Sequence, residues 1–148
     1  MIYRQALKQD VNSIAKLFDD YRVFYNKEAD LKGAEKFISE RLKNNDSNIF
    51  IAENETKQIV GFVQLFPLFS STRMKKLWLL NDLYVNPKFR GKGVSVKLIE
   101  QAKHLVVETE ACGMFLETSK SNVIGNNLYP KTGFQLNESS NYYEWNNG

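Results

Sequence analysis

The sequence predicts an α/β chain, a mixed β-sheet with about four helices on its faces. Three observations carry this. Apolar runs at residues 49–52, 58–65 and 76–85 follow one another across short turns, as antiparallel neighbours do. The run at 76–85 is followed by a clear amphipathic helix and another short apolar run at 114–118, the order of a strand–helix–strand unit. At 148 residues and 43% hydrophobic, the chain is expected to form a single domain, residues 1–148, with its own core.

Residues 2–6 form a short strand candidate. Asp10 is placed to cap a helix in which Val11, Ile14, Leu17, Phe18 and Tyr21 recur at helical spacing. An aromatic stretch follows, with Tyr21, Phe24 and Tyr25 close to Asn26 and Glu28. Phe37, Ile38, Arg41 and Leu42 mark a second helix that ends at Asp46-Ser47. Residues 67–74 read as a loop or ragged strand end. The nearly continuous apolar run at 76–85 indicates a strand buried on both faces. Leu98, Ile99, Ala102, Leu105 and Val106 form one stripe of the clearest helix, with Gly113 expected at its C-terminal turn. A short helix fits 123–131 and Gly133 follows it as a terminating glycine. Residues 134–136 and 142–145 are predicted to close the sheet as a hairpin across 137–141.

Bulk properties exclude several classes. No 18-residue apolar run marks a membrane span, and Met1-Ile2-Tyr3-Arg4-Gln5 lacks the apolar region of a signal peptide. The single cysteine, Cys112, excludes an intramolecular disulfide and a cysteine-based zinc site. One histidine, His104, speaks against a histidine metal site or a Ser-His-Asp triad; no metal is expected. These features point to a cytoplasmic setting. The net charge is only +3 and the basic residues are scattered, so neither a nucleic-acid nor a membrane partner is expected.

The most informative stretch runs from Leu83, Tyr84 and Val85 through Arg90, Gly91, Lys92, Gly93, Val94, Ser95 and Val96. It is a strand, a tight turn and a glycine-containing loop opening a helix. Such a helix start presents bare N–H groups and the positive end of the dipole, a site for phosphate. Gly91 and Gly93 let the backbone approach an anion, and Arg90 and Lys92 add charge. A P-loop fails because Asn86 replaces the first glycine and Gly93 the Ser or Thr. The dinucleotide fingerprint fails at Val96.

The segment Asp82-Leu83-Tyr84-Val85-x-Pro87-x-x-Arg90-Gly91-x-Gly93-Val94 resembles motif A of the GNAT family of N-acetyltransferases, with Ser95 in place of a final Gly or Ala. Downstream, Thr118, Asn122, Gly125, Leu128, Tyr129, Gly133 and Phe134 resemble a second signature of that family. The resemblance implies a GNAT-like acyl-CoA N-acyltransferase fold with a splayed sheet. It implies acetyl-CoA as cosubstrate and direct transfer of acetyl to a primary amine, a small amine or a lysine-like side chain, in a ternary complex. A non-catalytic CoA-binding module on the same fold is the alternative.

By the same resemblance, amides from Arg90 to Val96 hold the pyrophosphate. Leu83, Tyr84 and Val85 border the pantetheine arm, and a backbone N–H near Leu83 or Val85 polarises the thioester carbonyl. Asn122 contacts CoA or caps the following helix, and Tyr129 is the general acid for the departing thiolate. Asn81-Asp82 stands where some relatives carry Glu-Asp. Asn81 cannot act as a base, so Asp82 is left as base, as ligand for a cationic substrate, or as a structural carboxylate. Strand alternation sends the two side chains to opposite faces unless a bulge re-aims one. Aromatics and Glu28 in residues 21–28 are expected to shape the amine site. A homodimer is a further expectation, with residues 142–145 as its candidate seam.

Overall fold

The computed structural model describes residues 1–148. The chain divides into two compact units, Met1–Glu117 and Thr118–Gly148. The first unit holds a five-stranded sheet in sequence order: β1 (Ile2–Gln5), β2 (Asn48–Glu53), β3 (Ile59–Ser70), β4 (Lys75–Val85) and β5 (Met114–Phe115). The first four pair antiparallel, and β4 pairs parallel with β5. Three helices accompany the sheet: α1 (Val11–Phe24), α2 (Leu31–Asn44) and α3 (Val94–Glu108). A fourth, α4 (Val123–Lys131), belongs to the second unit.

The helices cover opposite faces. Ile14 and Leu17 of α1 and Ile38 of α2 join Ile49, Ile51 and Phe62 in one buried cluster, with Phe18, Phe37 and Tyr84 packed against it. Phe18 stacks on Phe37 at 5.4 Å and meets Phe62 edge-on at 6.4 Å. The neighbour of Phe62, Gly61, points the other way: a Cβ there would lie 3.4 Å from Leu98 of α3. The α3 stripe of Val94, Leu98, Ile99, Ala102 and Leu105 is buried on that second face, as its spacing requires.

Two ion-pair clasps fix the edges. Arg4 on β1 grips Asp10 through two bonds of 2.7 and 3.0 Å and reaches Glu53 on β2 at 2.9 Å. The expected cap by Asp10 is therefore not made: its carboxylate is turned to Arg4 and to the Leu7 N–H, at 2.7 Å, instead of onto α1. Asp19, nearly buried on α1, accepts from Arg22 at 2.8 Å and from the Asp30 N–H at 3.0 Å, tying the start of α2 to α1. Asp30 itself caps α2 through the Gly33 N–H.

Other boundaries differ from the sequence reading. Residues 67–70 continue β3, and a turn at 71–74 joins it to β4 as a long hairpin. Pairing with β2 ends at Leu65, so Pro67 sits where one edge of β3 has no ladder to lose. Glu110, not Gly113, takes the left-handed position after α3, at φ 54°. Its N–H and that of Ala111 bond back to Val107 and Val106. Gly113 lies further on, where its carbonyl accepts from the Trp78 N–H at 3.1 Å. The last strand is only two residues long.

No strand forms after α4. The aromatics at 142, 143 and 145 suggest a strand, but a strand needs a ladder partner and none pairs with them. Asn137 instead accepts from the N–H and hydroxyl of Ser139, a local turn that competes with extended pairing.

Candidate active site

The site is built on β4. Gln64 pairs with Asp82 and Leu65 with Leu80, which leaves Asn81 as the extra residue of a β-bulge. The bulge has two consequences. It brings the amide of Asn81 to its neighbour, 3.1 Å from Asp82 Oδ1, although the two residues follow each other in a strand. It also changes which amides face the outer edge.

Before the bulge, Lys76 and Trp78 bond toward β5, through Cys112 and Gly113. After it, the Asn86 N–H bonds to Val60 on the β3 side, so alternation turns Leu83 and Val85 to the outer edge. That edge is open. The register with β5 stops at Leu79–Phe115, and beyond it β4 has no second neighbour. The Val85 carbonyl is taken by Arg90 Nε at 2.9 Å. The amides of Leu83 and Val85 and the Leu83 carbonyl face the gap.

From this edge the chain passes through a single 3-10 turn at Pro87–Phe89, capped by the Asn86 side chain on the Lys88 N–H. It then enters the loop that starts α3. Gly91 and Gly93 have φ of +76° and +78°, a region that other residues enter at a cost. A Cβ at either would meet nothing within 4 Å, so the space in front of the loop is open. No side chain caps α3 at Gly93. The first amides of α3 therefore stand uncapped beside an open volume, which fits the pyrophosphate of a CoA-type molecule. The buried Val94 side chain anchors this turn in the core. Arg90 lies over the Tyr84 ring at 5.2 Å and also hydrogen-bonds to the Tyr84 phenol. Burial pushes the Tyr84 phenol up, against the opposing effect of Arg90. Lys92 lies over Phe89 at 5.6 Å.

Asp82 is 4% exposed. Its carboxylate accepts from Gln64 Nε2 at 2.7 Å and from Asn81, and Gln64 Oε1 accepts from the Ser47 hydroxyl at 2.9 Å. Burial drives the Asp82 carboxyl above the usual carboxylate range, while bonds from Gln64, Asn81 and Tyr21 pull it back. The Tyr21 hydroxyl reaches both Asp82 and the Asn81 carbonyl, the latter at 3.3 Å, so its single proton is shared between them and holds the bulge from the α1 side. In front of Asp82 lies a cleft of about 290 Å³ lined by Phe18, Tyr21, Arg22, Tyr25 and Lys27. Of the aromatic stretch, Tyr21 and Tyr25 line it, and Phe24 and Glu28 do not.

The second unit carries the other predicted residues. Asn122 caps α4 through the Gly125 N–H at 3.1 Å and donates to Thr118 at 2.9 Å. A Cβ on Gly125 would lie 2.5 Å from the Asn122 amide nitrogen and 3.2 Å from the Tyr129 ring, so a side chain here would have to displace the Asn122 amide. After α4, the Phe134 N–H bonds to Tyr129 and the Gly133 N–H to Pro130, with Gly133 at φ 98°. This Schellman closure brings the Phe134 ring edge-on to Tyr129 at 5.8 Å. Tyr129 is thus held between the Gly125 backbone and Phe134.

Comparison with known proteins agrees with this geometry. The model of the Acetyltransferase (GNAT) family matches residues 13–134. This chain belongs to the GNAT family. It is an acetyltransferase, with the α/β fold expected from its sequence. The N-acetyltransferase YhfO of Bacillus subtilis, itself uncharacterized, is 42% identical over 135 residues, covering 91% of this chain and 90% of that protein. The crystal structure of a probable acetyltransferase superposes with a TM-score of 0.94 at 32% identity, over 100% of this chain and 99% of the other. A predicted acetyltransferase from Clostridium acetobutylicum, solved with acetyl-CoA, shares the fold at a TM-score of 0.79 and 21% identity, over 98% and 95% of the two chains.

The sequence reading missed Ser47, Gln64, Arg22 and Lys27. For Gln64 a signal existed: it is the one amide in the apolar run from Ile59 to Leu65, and an amide buried there requires partners. For Arg22 and Lys27, spacing alone carried none.

Proposed function

We propose that this GNAT acetyltransferase moves the acetyl group of acetyl-CoA to the nitrogen of a primary amine by direct attack. The observation that carries this is the unpaired edge of β4 beyond Leu79, running into the uncapped start of α3. An extended chain ending in a pyrophosphate matches that combination: a free ladder edge for the arm, then bare amides for the phosphates.

Acetyl-CoA would supply the activated acetyl thioester. The amides from Arg90 to Val96, with Arg90 and Lys92, hold the pyrophosphate. Ser95 is small and half-buried at this turn, compatible with close approach. The Leu83 amide and carbonyl and the Val85 amide hold the arm as a neighbouring strand would. An N–H of Leu83 or Val85 stabilises negative charge developing on the carbonyl oxygen. Asp82 receives the proton that the ammonium must lose, directly or through water; its raised proton affinity and its place in the cleft support that role. As the new C–N bond forms and the C–S bond breaks, the Tyr129 phenol donates a proton to sulfur, and the second proton lost from nitrogen restores the phenol through solvent. Asn122 fixes the turn that begins its helix.

Two measurements test this. Acetyl-CoA at about 100 times its dissociation constant should stabilise the protein by roughly 2.7 kcal/mol in thermal unfolding. The absence of a shift removes the cofactor assignment. Tyr129→Phe should bind CoA normally and lose at least about tenfold in kcat, within the usual range for general acid catalysis. Full turnover by that variant removes Tyr129 from the chemistry.

A further inference from the structure

The charge of the cleft in front of Asp82 does not suit a polycation. Its wall is aromatic, from Phe18, Tyr21 and Tyr25, and two of its six lining residues are cations, Arg22 and Lys27. Asp19, the acid paired with Arg22, is engaged by Arg22 Nη1 and by the Asp30 N–H. Both hydrogen bonds of Arg22, to Asp19 and to the Glu28 carbonyl at 3.0 Å, use Nη1. Its Nε and Nη2 donors are left for a ligand. Lys27 takes part in none of the molecule's ion pairs. It follows Asn26, whose φ of 63° turns the chain just after α1. Asp82 is the only acid in the lining and is held from behind by Gln64 and Asn81.

We infer that the acceptor is a small amino carboxylate, whose carboxylate is bound by Arg22 and Lys27 while its amine faces Asp82 across the aromatic wall. The inference rests on the acetyl-transfer reading above and specifies its substrate class. An arginine with an unused fork of donors is suited to a carboxylate, and a nearby lysine adds a point charge. The cleft volume of about 290 Å³ is at the small end of ligand pockets and matches a molecule the size of an amino acid. A long polyamine would bring its second and third ammonium groups against Arg22 and Lys27.

The experiment compares matched pairs, phenylalanine, glutamate and lysine each against its carboxamide, with spermidine as the polycation. Acetylation is read as kcat/KM, and binding to the CoA complex is read separately by calorimetry. At least one acid should exceed its amide by about tenfold or more, the usual worth of a hydrogen bond to a charged group. The ratio should fall toward one in Lys27→Gln and in Arg22→Gln. Arg22 also holds the Glu28 carbonyl, so Lys27→Gln, whose side chain makes no ion pair, is the decisive variant if Arg22→Gln unfolds. Equal use of acids and amides, or preference for spermidine, overturns the inference. If acids bind selectively and none is acetylated, the binding class stands and the transfer reading fails. If acetyl-CoA binds and no acid binds better than its amide, the inference alone fails.

Discussion

Gln64→Leu tests whether the buried polar chain behind the cleft is a working unit. Gln64 is fully buried and joins Ser47 to Asp82 through bonds of 2.9 and 2.7 Å. Leucine fills a similar volume and makes neither bond. The Ser47 hydroxyl, itself buried, loses its acceptor at about 1–3 kcal/mol, and Asp82 loses a charge-assisted bond worth about 1.5–3 kcal/mol. Burying leucine in place of an amide returns about 1–2 kcal/mol. The net loss is centred near about 3 kcal/mol within a range of about 0.5–5, or roughly 6–12 °C in Tm at that centre for a chain of this length.

The pH dependence has a definite sign. Because burial raises the Asp82 carboxyl, its stabilising contribution is complete below the ordinary Asp value and is lost as pH rises through the folded value. Removing the Gln64 bond raises that value further, so Gln64→Leu should cost more at pH 8 than at pH 3.5. Urea unfolding at both pH values gives the two costs. A cycle with Asp82→Asn should show coupling of about 1 kcal/mol, since the bond to a neutral amide is weaker. Costs that are equal at both pH values and additive within about 0.3 kcal/mol would refute the reasoning. If Asp82 is the base, the acid limb of the kcat/KM profile also moves to higher pH in Gln64→Leu.

Two further predictions concern the loop and the edge clasp. Gly93→Ala places a side-chain-bearing residue at φ +78° with no neighbour to strike. It should lose about 1–2 kcal/mol of stability from backbone strain alone and bind acetyl-CoA more weakly than that strain explains, as calorimetry on the folded variant would read. Asp10, held below the usual carboxylate range chiefly by Arg4, contributes stability that is present above the ordinary Asp value and is lost as pH falls through its lowered one. Asp10→Asn should therefore cost about 1–3 kcal/mol at pH 7 and much less at pH 2.5, measured by denaturant unfolding.

Where the determinants are local, the sequence was a sufficient guide. The start of α3 depends on glycines that enter positive φ and on a helix stripe that buries Val94, Leu98 and Ala102, and both are written in consecutive residues. The α4 signature is equally local: Asn122 caps, Gly125 makes room, and Gly133 closes the helix so that Phe134 meets Tyr129. Pairing was less legible. Residues 67–70 extend β3 because residues 71–74 can turn and β2 has already ended. The aromatics at 142–145 have strand character but no ladder partner.

The sequence by itself determined the α/β order, the glycine turn into α3 and the local build of α4, because each rests on contacts spanning a few positions. Only the tertiary structure decided that Asn81 bulges, that Leu83 and Val85 face an open edge, and that Arg22 and Lys27 share a cleft with Asp82. Those facts depend on register between strands and on the way α1 lies over them. A shift of one residue in pairing reverses which amides and side chains a strand presents, and no local spacing records that shift.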